Sequence, residues 1–256
     1  MSTWTFFGRI LPERVPVTWH APLQGSAHSA LGFAFDFRVK IHASQVILDL
    51  TITQGDAHDV PTLRNAAAEF IRGVTDLIGY KQGYYFDVEI VAAIHRDTDD
   101  WTVFGIEIPI LKARREAQQI NAIDGALVQA FGESVAAHLV LAEFREAMRV
   151  SVGTGLHCYR AIEAMMQSLK TNPGDADGPA WEALRNRLRV DRSAIDEVKQ
   201  HADFPRHGKP WAMSDADRAK VFGVTDEIIE RYLLYLVSGE AALKGLPVLA
   251  AQSPVR

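Results

Sequence analysis

The 256-residue chain has a single cysteine, Cys158. That excludes an internal disulfide and any cysteine-rich zinc site, and it fits a reducing compartment. An excess of positive charge is also missing: 27 Lys and Arg stand against 32 Asp and Glu, a formal net charge of -5. Bulk electrostatics therefore do not draw the molecule to a polyanion, and any nucleic-acid site has to be a local basic patch. No apolar run approaches the ~18 residues of a membrane span. The first residues carry no apolar core behind a basic start. A cytoplasmic protein with no membrane partner is expected. Gly153-Thr154-Gly155 follows no strand and lacks the spacing of a phosphate loop. Gly105, Ser134 and Ser151 sit in no nucleophile-elbow context. No internal repeat, low-complexity segment or cofactor fingerprint stands out.

What is present is a change of period along the chain. Up to about residue 112 the pattern is that of an α+β module, an antiparallel sheet with one helix. Trp4, Phe6 and Ile10 open it. Residues 31–41 alternate aromatic or branched side chains with small or polar ones, and 45–53 repeat this with Val46, Leu48, Leu50 and Ile52. Asp59 or Thr62 is placed to cap a helix over 61–79 with Leu63, Ala66, Ala67, Phe70, Val74 and Leu77 as its apolar stripe. Strands are expected over 84–94 and 101–111, joined by the acidic turn 96–100. That turn (Asp97, Asp99, Asp100) and the group Asp56, His58 and Asp59 have ligand-capable atoms but no recognised metal spacing. They read as a solvated hairpin turn and a helix cap, so no metal site is expected.

From 113 to 246 the period becomes helical. The spacing predicts a helix over 126–150 with Val135, Leu139, Phe144 and Met148 on one side, and a second stripe through Leu156, Tyr159, Ile162, Met166 and Leu169. The loop 171–179 precedes short helices at 181–188 and 193–201. Ser214 with Asp215 and Asp217 starts a last helix carrying Val221, Ile228, Ile229, Tyr232, Leu233 and Leu236. Residues 247–256, with Pro247, Pro254 and no period, read as a frayed tail.

The chemistry concentrates in residues 201–211, which hold His201 and, between Pro205 and Pro210, Arg206, His207 and Lys209. Metal-free RNA cleavage needs a base for the ribose hydroxyl, an acid for the leaving oxygen and positive charge on the phosphate. Two histidines and an arginine supply these types. The alternative is a structural corner in which Arg206 pairs with Glu163 and His207 bonds to backbone carbonyls. Arg185, Arg189 and Arg192 would share a helix face at i, i+4 and i+7 and could track a phosphate backbone, or simply solvate the surface. Trp181, Tyr159, Tyr232 and Tyr235 could stack bases, although aromatics at helical spacing are more often core.

Tyr159-Arg160-Ala161-Ile162-Glu163 on one helix, the Trp181 helix, Arg206-His207-Gly208 and the helix around Ile228–Leu236 come in an order that resembles HEPN-like domains. These are small helical bundles of prokaryotic toxins, phage-defence proteins and other RNA- or nucleotide-linked systems. The resemblance covers roughly 133–243. It implies RNA or nucleotide binding and a homodimer that builds one groove from two copies. Active members are metal-independent endoribonucleases with an arginine and a polar residue a short spacing before a histidine. His207-Gly208 matches the histidine end, and His201 stands where the arginine belongs. Alternatively Arg206-His207 matches the arginine end, but no histidine follows. The resemblance thus carries over Arg206, His207 and His201 as an incomplete catalytic set; the residues themselves offer Arg185, Arg189, Arg192 and Lys209 as RNA contacts, and Glu163 and Tyr159 as structural partners. The competing expectation is a dimerising interaction or sensor module without catalysis.

Overall fold

Alternation of buried and exposed side chains along Gln45–Gln54 puts Val46, Leu48, Leu50 and Ile52 on one face, and that face defines the first core. The computed structural model describes residues 2–55, 59–118, 125–209 and 212–251. It divides into two units, Met1–Ile106 and Glu107–Arg256, an α+β arrangement of sheet followed by helices.

The first unit is an antiparallel sheet with strand order β2-β3-β4-β1-β5-β6, formed by β1 (Ser2–Leu11), β2 (Trp19–His28), β3 (Ala34–His42), β4 (Gln45–Gln54), β5 (Asp87–His95) and β6 (Trp101–Val103). Helix α1 (Val60–Gln82) packs Leu63, Ala67 and Ile71 into the sheet's core with Phe6, Ile10 and Leu48. Asp59 caps α1, accepting from the Thr62 N–H at 2.7 Å, and Gly83 ends it in the left-handed region. The buried face runs through 63, 67, 71 and 75: Leu63 and Ala67 of the expected stripe lie on it, Ala66, Phe70 and Val74 pack at its edge, and Leu77 is 61% exposed. The acidic turn is a hydrogen-bonded hairpin turn, with Thr98 donating to Asp100 at 2.6 Å. Asp56 and His58 lie outside the described residues.

Two departures from the sequence pattern have local causes. β2 carries no alternation because it is an edge strand exposed along most of its length, and its ladder to β3 slips between Trp19 and Leu23, around Pro22. The expected strand 101–111 stops at Val103, and Pro109 begins helix α2 (Pro109–Gln118). A proline has no N–H for a ladder and its fixed φ suits a helix's first turn. The second unit therefore starts at 107 rather than 113.

In that unit α2 is followed by α3 (Gly125–Glu133), α4 (Val135–Arg149), α5 (Thr154–Ser168), α6 (Asp177–Leu188), α7 (Arg192–Lys199), α8 (Asp203–Arg206) and α9 (Asp215–Val237). α5 and α9 supply the middle of the core with Ile162, Met165, Phe222, Ile228 and Tyr232. The expected single helix over 126–150 is broken at Ser134, whose side chain accepts from the Ala137 N–H at 3.1 Å and caps α4. α3 and α4 meet at 101°. α4 buries Ala137, Val140, Phe144 and Ala147, leaving Val135 77% and Leu139 55% exposed. The tail is pinned as far as 251: Leu249 bridges Val190, and the Ala251 N–H donates to Ser193 Oγ at 3.2 Å. Backbone pairing holds a segment whose side chains show no period. Pro254 lies outside the described residues. Among the described residues no single helix is long and apolar enough to cross a membrane.

Candidate functional site

α5 and α8 meet where the sequence concentrates its chemistry. Arg206 Nη1 lies 3.4 Å from Glu163 Oε1, with the guanidinium side chain 52% exposed and the carboxylate 29%. Burial raises the Glu163 carboxyl above its ordinary value, against the pull of Arg206 and Arg160. Tyr159, one turn back, stacks on Trp181 with ring centroids 6.1 Å apart. Its phenol is pushed up to about 12, first by burial and then by Glu163. Both aromatic rings thus serve packing, as do Tyr232 and Tyr235, which are buried. The pairing of Arg206 with Glu163 is the one foreseen for a structural corner.

His207 ends α8, its N–H directed at the Asp203 and Phe204 carbonyls, and its side chain is exposed. Gly208 follows at φ 68 and turns the chain back. The turn places Lys209 Nζ 5.4 Å from the centroid of the Phe204 ring, which is 43% exposed. One short segment so presents an aromatic face, a guanidinium, an imidazole and an ammonium to solvent. Pro210 and Trp211 lie outside the described residues.

His201 does not join them. Its charged neighbours are Asp217, Glu197 and Lys220, and its backbone packs on α5 at Gly155, where a Cβ would fall 2.5 Å from the His201 carbonyl oxygen. Burial, opposed by Asp217 and Glu197, lowers the imidazole's pKa from its ordinary 6.5. A histidine whose folded pKa is depressed holds fewer protons than in the unfolded chain at pH below 6.5. The helical unit should therefore lose stability as pH falls from 7 through 6, and His201→Gln should flatten that slope. Denaturation curves of both proteins across this range check it; identical slopes would refute the assignment.

The basic run is not a shared face. Arg189 leaves α6 at φ 57 and ψ 47, so it and Arg192, the first residue of α7, are off the helix that carries Arg185. Arg189 Nε donates to the Leu246 carbonyl at 3.3 Å, and Arg192 pairs with Asp196 at 3.3 Å. The break agrees with the two short helices expected at 181–188 and 193–201, which leave Arg189 and Arg192 outside the first of them.

Several ionic groups escaped the sequence reading. Glu143 on α4 accepts from His157 Nδ1 at 2.7 Å and Arg160 at 2.8 Å, tying α4 to α5. Arg218, Asp226 and Arg231 are buried on α9. Each falls inside that helix's apolar stripe, beside Phe222, Ile229 or Tyr235. A charge at such a position demands a partner, and this was the available signal. Among the described residues no group of three or more His, Cys, Asp or Glu side chains is placed to hold a metal ion.

Residues 4–104 match the family model described as the N-terminal domain of a domain of unknown function (DUF8168), and residues 122–237 match its C-terminal domain. No curated protein and no solved structure matches the chain.

Proposed function

We propose that the helical unit is a HEPN-like module that binds single-stranded RNA at the α8 segment without cutting it. The observation that carries this reading is the exposed Phe204 ring beside Arg206, His207 and Lys209. A base stacks on an aromatic face regardless of its identity, while nearby cations take the phosphates, so a short segment of this kind suits a single strand. Cleavage is disfavoured because the acid–base set is divided. His201 is held apart with a lowered pKa, and Arg206 already faces a carboxylate.

Fluorescence anisotropy with a labelled single-stranded RNA tests this. Phe204→Ala should weaken binding about tenfold, within the range seen for base–aromatic stacking. The RNA should stay intact with and without chelator. Cleavage that persists in chelator and disappears in His207→Ala would show instead that the site is a ribonuclease.

A second reading, a dimerising interaction module, is favoured by the outer face of α4, where Val135, Leu139 and Met148 remain exposed. Two copies pairing through this face would explain an apolar stripe that the unit's own core does not use. Light scattering on the RNA-free protein separates one chain from two.

A further inference from the structure

Beneath the outer strands of the first unit, along the edge of its core, runs an apolar groove. α1 already buries Leu63, Ala67 and Ile71, yet its next stripe is apolar too. Phe70, Val74 and Leu77 line one side of the groove, and Trp19, Leu23 and Phe37 line it from β2 and β3. Phe37 and Phe70 touch ring to ring, centroids 4.4 Å apart. Trp19 stays 43% exposed and Leu77 61%. The groove holds about 600 Å³, inside the ~300–1,000 Å³ span of sites for small ligands.

The polar residues lining it are few. They are Gln24, Gln82 and Lys81, the last the one charged residue among them, and no described Asp or Glu lines the groove. From Phe70 to Lys81 the helix rises roughly 16 Å at about 1.5 Å per residue, an extended apolar path with one cation near its end. We infer that this groove binds a single aliphatic monocarboxylate, of the fatty-acid class, with its chain along α1 between Trp19 and Phe70 and its carboxylate at Lys81. Tail burial supplies the affinity and the Lys81–carboxylate contact the choice of head group. Strand addition is the poorer occupant, since the ladder slip around Pro22 in β2 spoils that edge for pairing and a strand would have no use for the ammonium. The inference stands independently of RNA binding by the helical unit.

The test titrates the full chain with dodecanoate below its micellar concentration, following tryptophan fluorescence and calorimetric heat. Dodecanol and dodecyltrimethylammonium serve as probes with the same tail and other heads. Saturable binding of one dodecanoate per chain is expected. Lys81→Glu should weaken dodecanoate about tenfold and leave dodecanol unchanged, and Leu77→Asp, at an exposed position that folding does not depend on, should weaken both. Non-saturating uptake, equal affinity for the cationic probe, or indifference to both substitutions would overturn the inference. So would a change from two chains to one in Leu77→Asp without ligand, because the groove would then be covered by a second copy.

Discussion

Replacing Arg231 by methionine should cost the helical unit about 3–5 kcal/mol, a fall in melting temperature on the order of 10 °C. Arg231 is 4% exposed and spends its donors inside the fold. Its Nε reaches Glu227 at 2.9 Å, and Nη1 reaches the carbonyls of Leu188, Arg189 and Pro247 at 3.2, 2.7 and 2.9 Å. α6 has ended there with Arg189 in the left-handed region, leaving carbonyls without helical partners. Methionine fills much of the volume but donates nothing, so those acceptors lose a charge-assisted partner in a site closed to water. The same guanidinium holds Pro247, so the tail should also become open to protease. Arg231→Lys should recover less than half the loss, because an ammonium cannot reproduce the planar fork. A methionine variant within about 1 kcal/mol of wild type in denaturant unfolding would contradict this role.

Asp226→Ala should follow closely, at about 2–4 kcal/mol. The Asp226 side chain is 1% exposed and accepts from Arg114 Nε at 2.9 Å and from Arg115 through both terminal nitrogens, one of them at 2.9 Å. Glu227 and Glu230 take further donors of the same two arginines, at 2.7 and 2.6 Å. The cluster is the ionic tie between α2 and α9. Alanine would leave two guanidiniums converging on an empty position. Their partial exposure and the two remaining glutamates soften the penalty, which keeps the estimate below that for Arg231. Acid should act in the same direction. Burial pushes the Glu227 carboxyl up, but Arg114 and Arg231 outweigh it and hold the group below its ordinary 4.5. Its contribution is therefore complete above that pH and lost as pH falls through the folded value. Calorimetry of wild type and Asp226→Ala checks the step; an unchanged transition would remove the network from the account.

The parts of this fold that could be read from the chain are those where one local rule acts alone. Asp59 and Ser214 cap the helices that follow them, and Val46 to Ile52 alternate because one face of β4 is buried. Reading failed where two rules compete. β2 has Pro22 and an exposed surface, so no period marks it. The alternation from Trp101 onward continues in the sequence past Pro109, where proline favours the helix start and wins. On α4 the buried face runs through Ala137, Val140, Phe144 and Ala147, so of the expected stripe only Phe144 is buried while Val135, Leu139 and Met148 stay exposed. The candidate site was partly legible. Arg206 beside Glu163 follows from a helical unit folding back on α5, but the separation of His201 depends on Gly155 admitting its backbone, a tertiary fact. An isolated phenylalanine such as Phe204 carries no sequence signal for a surface role; the left-handed turn at Gly208 brings Lys209 back over its ring.

The most direct measurement is the affinity of the full chain for a labelled single-stranded RNA, compared with that of Phe204→Ala/Lys209→Glu, at two salt concentrations. The two substitutions remove the stacking face and reverse one cation at exposed positions, so folding should be intact by circular dichroism. Binding at the α8 segment predicts a loss of tenfold or more at low salt, and a shallower salt dependence in the variant because about one phosphate contact fewer releases counterions. Equal affinity and equal salt dependence for the two proteins would contradict RNA recognition at this segment.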